Sequence, residues 1–297
     1  MGKADLHTHT KYSGLSKVLF LNLPDAITEP EEVVKAAEKA GLDVVCVTDH
    51  NSTKGGLKAS KVKSRVEVIV GEEIGTRDGE ILGLFLTEEV PRNLSAEETI
   101  DIVHSMGGVA VAPHPFSAHC SALGRRVFDL HLDGIEVLNA AHRDIYTNDV
   151  AQKLCANSGK ALTGGSDAHA PAMVANAYTT FSGTTSEDLR KSILSKSTGY
   201  AGRTSSMRDL IWMTAMTSAK LSNTIAKSIA NAENHEDALY AREIYSMRRI
   251  TKYITLVGSV AFLAPPIILL AAFTGERLHS SRSKAKWEEI VSKGSLQ

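Results

Sequence analysis

Neither sign of charge prevails in this sequence of 297 residues: 33 Lys and Arg face 34 Asp and Glu, for a formal net charge of -1. That balance excludes a basic nucleic-acid coat and an acidic disordered chain. Aromatic residues are scarce, at 5%, which leaves little material for the stacking platforms of a single-strand channel. Cysteine is scarcer still. Cys46, Cys120 and Cys155 are odd in number and far apart, which excludes a disulfide scaffold and points to a reducing compartment. No glycine loop has phosphate-cradling spacing, and Gly55-Gly56 lacks the Walker pattern. The opening MGKADLHTHT lacks the apolar core of a secretion signal, and Leu6 stands where a myristoylation motif takes Ser or Thr. What remains is 43% hydrophobic and 23% charged, the proportions of a globular chain with a sizeable core.

Through the first two-thirds, short β-rich runs alternate with amphipathic helical stretches. VVCVTDH (44–50), EVIVGEE (67–73), GVAVAPH (108–114), GIEVLN (134–139) and ALTGGSDAH (161–169) each join an apolar run to a polar tip. Between them, PEEVVKAAEKAG (30–41) opens on Pro30 and closes on Gly41, as expected of a capped helix. Residues 96–108 and 148–159 close in the same way. The alternation predicts right-handed βαβ units and a largely parallel sheet. Every polar tip falls at the C-terminal end of its strand, the edge where α/β folds build their sites. His7, His50, Glu73, His114 and the Asp167/His169 pair are therefore expected on one rim.

Histidine is the residue in excess. Eleven occur, and His7 and His9, two apart on a strand, share one face and can hold one cation together. Gly164-Gly165-Ser166-Asp167-Ala168-His169 is a glycine-opened tip carrying a carboxylate and an imidazole. A set of imidazoles and carboxylates without thiolates suits Zn, Mn or Fe. His104, His119 and His131 read as structural or surface residues. Cys120 has no partner base in the sequence and is assigned no role.

In this order, DLHTH, TDHN, GEE, PHP and GSDAH resemble the PHP (polymerase and histidinol phosphatase) family, over about residues 3–205. The resemblance implies an α/β fold, a distorted (β/α)7 barrel whose rim holds two or three divalent ions, Mn, Zn or Fe, with Mg admissible. The implied ligands are His7, His9, His50, Glu73, His114, His142, Asp167 and His169, with Glu73 preferred to Glu72. It also implies a phosphoesterase that hydrolyses a phosphate ester of a small metabolite or nucleotide through a metal-activated water. Asp167 stands to take that water's proton, and His169 or His50 to protonate the leaving oxygen. Arg143 is the first candidate to grip the phosphate and Lys11 the second, because both flank ligand positions. Asp5 and Asp49 precede ligand histidines and either orient an imidazole or cap a strand end. One departure stands out: relatives carry an Asp a few residues past the HxH, where this chain reads Lys11-Tyr12-Ser13-Gly14. That carboxylate is expected to be absent and the third cation weakly held. The competing readings are a nuclease acting on nucleic-acid ends and a membrane-tethered, non-enzymatic binding module.

Past about residue 205 strand signals cease, and 206–297 read as a helical region set apart from the 1–205 domain. Within it, 254–273 are twenty uncharged residues, the length of a membrane-spanning helix. Arg248, Arg249 and Lys252 precede them, and Arg277, Arg282, Lys284 and Lys286 follow. Pro265-Pro266 divides the run, so a re-entrant hairpin and a soluble hairpin packed on 207–231 compete with a span. Membrane attachment is the preferred expectation, with a cytoplasmic catalytic domain on the inner face of the cell membrane. The expected partners are a small phosphorylated substrate and that membrane, with nucleic acid disfavoured.

Overall fold

The apolar runs become strands where the pattern places them. The computed structural model describes residues 1–18, 21–233 and 237–292. Strand β1 (Gly2–Asp5) ends just before His7, and an unforeseen hairpin, β2 (Leu15–Val18) and β3 (Leu21–Pro24), precedes helix α1 (Pro30–Ala40). Pro30 opens α1 beside a reciprocal Glu29–Glu32 capping box, and Gly41 closes it at φ +77°, a left-handed conformation open to glycine. The helix buries Val33, Val34 and Ala37, the one-face spacing of an amphipathic helix.

Then follow β4 (Val44–Val47), α2 (Lys54–Ala59), β5 (Glu67–Gly75), β6 (Glu80–Leu84), α3 (Ala96–Ser105), β7 (Val109–Ala112), β8 (Gly134–Asn139), α4 (Thr147–Cys155) and β9 (Ala161–Gly165). The barrel ends with β10 (Ala177–Phe181), α5 (Ser186–Leu194) and β11 (Gly199–Gly202). Nine strands form one sheet in the order β11-β10-β1-β4-β5-β6-β7-β8-β9. Its ends approach each other, β9 lying against β10 and β11, so the sheet is nearly a closed barrel. Parallel pairs β1–β4, β4–β5, β7–β8 and β8–β9 match the βαβ expectation. The sheet is nonetheless mixed, which corrects the largely parallel reading. β6 enters antiparallel between β5 and β7, and β10 and β11 add an antiparallel hairpin beside β1. β6 runs back because only four residues, with Gly79 at φ +153°, separate it from β5; a parallel return needs a far longer crossover. The distortion of the barrel is this strand and this hairpin.

Helices α6 (Met207–Ile229), α7 (Leu239–Ser246), α8 (Arg249–Phe262) and α9 (Pro265–Ser292) complete the described chain; residues 293–297 of the expected 206–297 region lie outside it. Their core unites Leu221, Ile225, Tyr240, Ile244, Phe262 and Ile268 with Leu23 of β3. The inserted hairpin is thus held by the helical region. The spanning-helix expectation for 254–273 is corrected: no single described helix is long and apolar enough to cross a membrane, and α8 and α9 meet at an 88° bend. Pro265 supplies the break by opening α9, where its missing N–H costs nothing. α8 packs on α6, with Ser222 Oγ 2.8 Å from Ser259 Oγ.

Candidate metal centre

Glu73 sits at the middle of the rim. Its Oε2 lies 3.0 Å from His50 Nδ1 and 3.4 Å from both His7 Nε2 and His9 Nε2, while Oε1 lies 3.0 Å from His114 Nε2. Asp167 Oδ1 is 3.2 Å from His9 Nε2 and 3.5 Å from His7 Nε2. All but His50 and His169 of the eight expected ligands are buried. The barrel closes beneath them without room for a side chain at Gly165, where a Cβ would stand 2.4 Å from Glu136 Oε1 and 2.7 Å from His7 Cβ. His114 and Asp167 carry positive φ, +26° and +50°, local strain of the kind that tertiary structure imposes at functional tips.

The surrounding hydrogen bonds aim the imidazoles. Glu136 Oε1 is 3.3 Å from His7 Nδ1, and its Oε2 accepts the His114 N–H at 2.9 Å. Asn139 Nδ2 donates to Glu136 and to Asp167 Oδ2. Asp49 accepts from the Ser13 hydroxyl at 2.8 Å, and Ser13 Oγ is 3.0 Å from His9 Nδ1. Asp49 therefore orients His9 through Ser13, whereas Asp5 caps backbone N–H groups of His7, Ser166 and Ala175. With Nδ1 of His7 and His9 engaged, their buried Nε2 atoms are left without a hydrogen-bond partner. Two ligand atoms at about 2.0–2.2 Å from one cation lie roughly 3.3–3.5 Å apart, which is the spacing of these nitrogens from the carboxylate oxygens. The donor set fits a divalent cation.

The carboxylate expected to be absent after the HxH is present, and this corrects the sequence expectation. Asp25 Oδ2 lies 3.1 Å from His169 Nε2 and 3.7 Å from His50 Nε2. The β2–β3 hairpin leaves the rim at Gly14 and returns to it, the Asp25 N–H donating to the Gly14 carbonyl at 2.9 Å. His9, Asp25, His50 and His169 form a group whose ligand atoms all lie within 4.8 Å of one another, as do His7, His9 and Asp167, and His7, Glu73 and His114. His142 stands beside His114 with ring centroids 5.3 Å apart.

Electrostatics divides the histidines. Burial and the neighbouring His169 push His9 down to about 4, and burial with His114 holds His142 well below its ordinary range; both are neutral and ready to donate a lone pair. Burial opposes a charge on His169, yet Asp25 and Asp167 lift it to about 9. Below that pH a cation must displace the His169 proton. Metal binding is therefore expected to release protons, with apparent affinity rising by up to about tenfold per pH unit for each proton displaced, until pH passes about 9. Calorimetric titration of chelator-stripped protein with Zn²⁺ in buffers of different protonation enthalpy reads this directly, and an affinity flat from pH 6 to 9 contradicts it.

The two candidate phosphate donors point elsewhere. Arg143 is bound to Glu276 Oε1 at 2.9 Å and to the Ser205 carbonyl, and Lys11 to Glu29 at 2.9 Å. Arg143 is thus a tie to α9 rather than an open site donor. Arg92, which no motif marks, lines the cavity onto which His50 opens. His104 pairs with Asp133 on the surface, and His131 is exposed. His119 stacks on His279 of α9, and His279, Asp144 and His142 gather behind the rim. The sequence carries no signal for His279, because its neighbours lie more than a hundred residues away.

A distorted barrel with imidazoles and carboxylates collected at its strand ends defines a metal-dependent hydrolase. A family model described as PHP-associated matches residues 146–198. The uncharacterized protein MJ1587 of Methanocaldococcus jannaschii is 53% identical over 151 residues, covering 50% of this chain and 88% of that protein. The uncharacterized protein MJ0417 of the same organism is 36% identical over 187 residues, covering 61% and 70%. Among solved structures, PsfC from Pseudomonas syringae PB-5123 aligns with a TM-score of 0.56 and 18% identity over 74% of this chain and all of that one, a likeness of fold alone. The chain belongs to the PHP family.

Proposed function

We propose that this protein hydrolyses the phosphate ester of a small metabolite or nucleotide. In this reading His7, His9, His50, Glu73, His114, His142, Asp167 and His169, joined by Asp25, hold two or three divalent cations. The supporting observation is the cavity at the His50 end of this set. His50 opens onto a space of about 720 Å³ walled by Asn51, Glu80, Glu89, Arg92 and Glu243. That volume suits a small ligand, and three carboxylates against one arginine make a poor track for a nucleic-acid strand. Bound cations would supply a water of lowered pKa and a clamp on the phosphoryl oxygens. Asp167, steered by Asn139, would stand to accept that water's proton. His169, committed with Asp25 and His50, leaves proton donation to Glu80, whose carboxyl burial and Glu73 push up to about 7. Arg92 meets the far oxygens of the substrate, the task expected of Arg143.

A panel of p-nitrophenyl phosphate, nucleotides and short oligonucleotides, assayed with Mn²⁺ or Zn²⁺ before and after chelation, tests the proposal. Metal-dependent release of phosphate from the small esters is the expected result. Cleavage of oligonucleotides alone, or full activity after chelation, contradicts it.

In the same reading, residues 1–205 are the catalytic unit and 206–297 a cover that anchors the β2–β3 hairpin and attaches the protein to a membrane surface. The polarity of α8 favours this attachment. It turns Lys252, Thr255 and Ser259 inward and exposes Ile250, Ile254, Val257 and Val260, the third of these 71% exposed. Leu270 and Phe273 of α9 continue the apolar face. Phe262 also turns inward, but most of the large apolar residues of α8 lie outside, the arrangement of helices whose surroundings are apolar. Neither helix is both long and apolar enough to cross a bilayer alone, so in this reading the face lies in the headgroup region, with Arg248, Arg249, Arg277 and Arg282 available to anionic lipid. Sedimentation with anionic phospholipid vesicles is expected to carry the protein down, and Val257→Glu to abolish this. Protein that stays in the supernatant, or that is already a dimer burying this face, overturns the attachment.

A further inference from the structure

The PHP tripeptide leads into a loop that is pinned from several sides. The Ser117 N–H donates to the His114 carbonyl at 2.9 Å, and Ser117 Oγ accepts the His119 and Cys120 N–H groups at 3.1 and 3.0 Å. Lys286 Nζ of α9 donates to the Ser117 carbonyl at 2.5 Å, and His119 Nε2 lies 3.2 Å from the His279 carbonyl oxygen. These bonds fix the backbone at Cys120 and deliver its Sγ to the rim, 4.0 Å from His142 Nε2.

Ligand atoms of His114, Cys120 and His142 all lie within 4.8 Å of one another. Both histidines are 3% exposed, and each has a buried Nδ1 without a hydrogen-bond partner. A Zn²⁺ ion takes sulfur at about 2.3 Å and nitrogen at about 2.0–2.1 Å, which at a tetrahedral angle separates the two donors by roughly 3.6 Å. The observed 4.0 Å needs a closure of only a few tenths of an ångström. His114 also reaches Glu73 Oε1 at 3.0 Å, so a cation at this end of the rim has a carboxylate shared with the rest of the cluster.

We propose that Cys120 is a thiolate ligand to the cation held by His114 and His142. On binding, the S–H bond breaks, its proton passes to solvent, and the sulfur lone pair joins the cation; no oxidant or reductant takes part. A thiolate among imidazoles selects Zn²⁺ or Fe²⁺ over Mn²⁺ and Mg²⁺ at this position, so the cluster is chemically uneven along the rim. It also makes the site vulnerable to thiol oxidation, which removes a ligand. This assignment rests on the metal-centre reading above and deepens it.

Cobalt(II) loading of the full chain separates the two. The native protein is expected to show both ligand-field bands and an intense near-ultraviolet thiolate-to-cobalt absorption. Cys120→Ser should keep the ligand-field bands, lose the near-ultraviolet absorption, and bind Zn²⁺ at least roughly tenfold more weakly. Thiol labelling gives a second reading that needs no variant. Cys46 and Cys155 are buried and Cys120 is exposed, so one thiol should react in stripped protein and be protected once Zn²⁺ is added. Cobalt bound without the near-ultraviolet band, together with a labelling rate indifferent to Zn²⁺, overturns the ligand assignment and leaves the metal centre standing. No cobalt binding of any kind overturns both.

Discussion

Glu73→Ala is expected to strip the rim of its cations and to lower hydrolysis of a small phosphomonoester by about three decades. Four imidazoles, those of His7, His9, His50 and His114, have a nitrogen within 3.4 Å of this one carboxylate. A carboxylate in that place is shared between neighbouring cations, so its loss opens more than one coordination sphere. Cations contribute several kcal/mol of transition-state charge stabilisation, and each 1.36 kcal/mol is a factor of ten in rate, which gives the three decades. The apoprotein should still fold. Burial acts against the Glu73 charge, but His50, His7 and the His114 hydrogen bond outweigh it and hold the carboxyl well below its ordinary range, so the substitution costs the apoprotein some stability while leaving the apolar clusters of the barrel intact. Far-ultraviolet circular dichroism beside metal analysis checks both halves. A Glu73→Ala protein with native metal content and native rate would refute the bridging role.

Asp25→Ala is expected to remove one cation and leave the rest, with a fall in rate of roughly 10- to 100-fold, the range seen when the surroundings of a metal are damaged without losing it all. Only the His50–His169 end of the cluster depends on Asp25, and the Glu73–Asp167 end keeps its own ligands. Asp25→Asn should behave like the alanine variant, because a neutral amide cannot balance a cation held between two histidines. Metal content per chain, measured beside the rate, separates this from a general loosening of the hairpin. If both variants retain the full complement of ions, Asp25 is a structural partner of His169 and not a ligand.

Asp25 also shows where the sequence stops being legible. The HxH pair, the Asp-His tip and the strand-end placement of Glu73 and His114 can be read along the chain, because the strand period and the direction of a βα unit decide which way each side chain faces. The Lys11–Gly14 segment misleads because a hairpin intervenes: the chain leaves the rim at Gly14 and comes back to it with Asp25. What brings it back is Leu23, packed among Leu221, Ile225 and Tyr240, and no local pattern in the sequence links residue 23 to residue 225. Arg143 fails for the same reason in reverse. It adjoins His142 in the chain, but Glu276, 133 residues onward, takes its guanidinium. Cys120 has no base near it in the sequence and stands beside His142 in space. The mixed sheet has a local origin that a shorter-range reading could have found, since Thr76-Arg77-Asp78-Gly79 is a turn too short for any parallel return. The twenty-residue apolar run was legible in length but not in shape, because Pro265 is tolerated as the first residue of a new helix as readily as it breaks an old one.

As proposed, the rim of this barrel is a multi-cation centre. The direct measurement is the number of divalent ions bound per full-length chain, by elemental analysis after stripping, reloading with Zn²⁺ or Mn²⁺ and removal of excess. Two or three ions per chain, falling by one in Asp25→Ala and to one or none in Glu73→Ala, is the predicted result. Fewer than two ions in the native protein, or the same number in native and Glu73→Ala protein, contradicts the account.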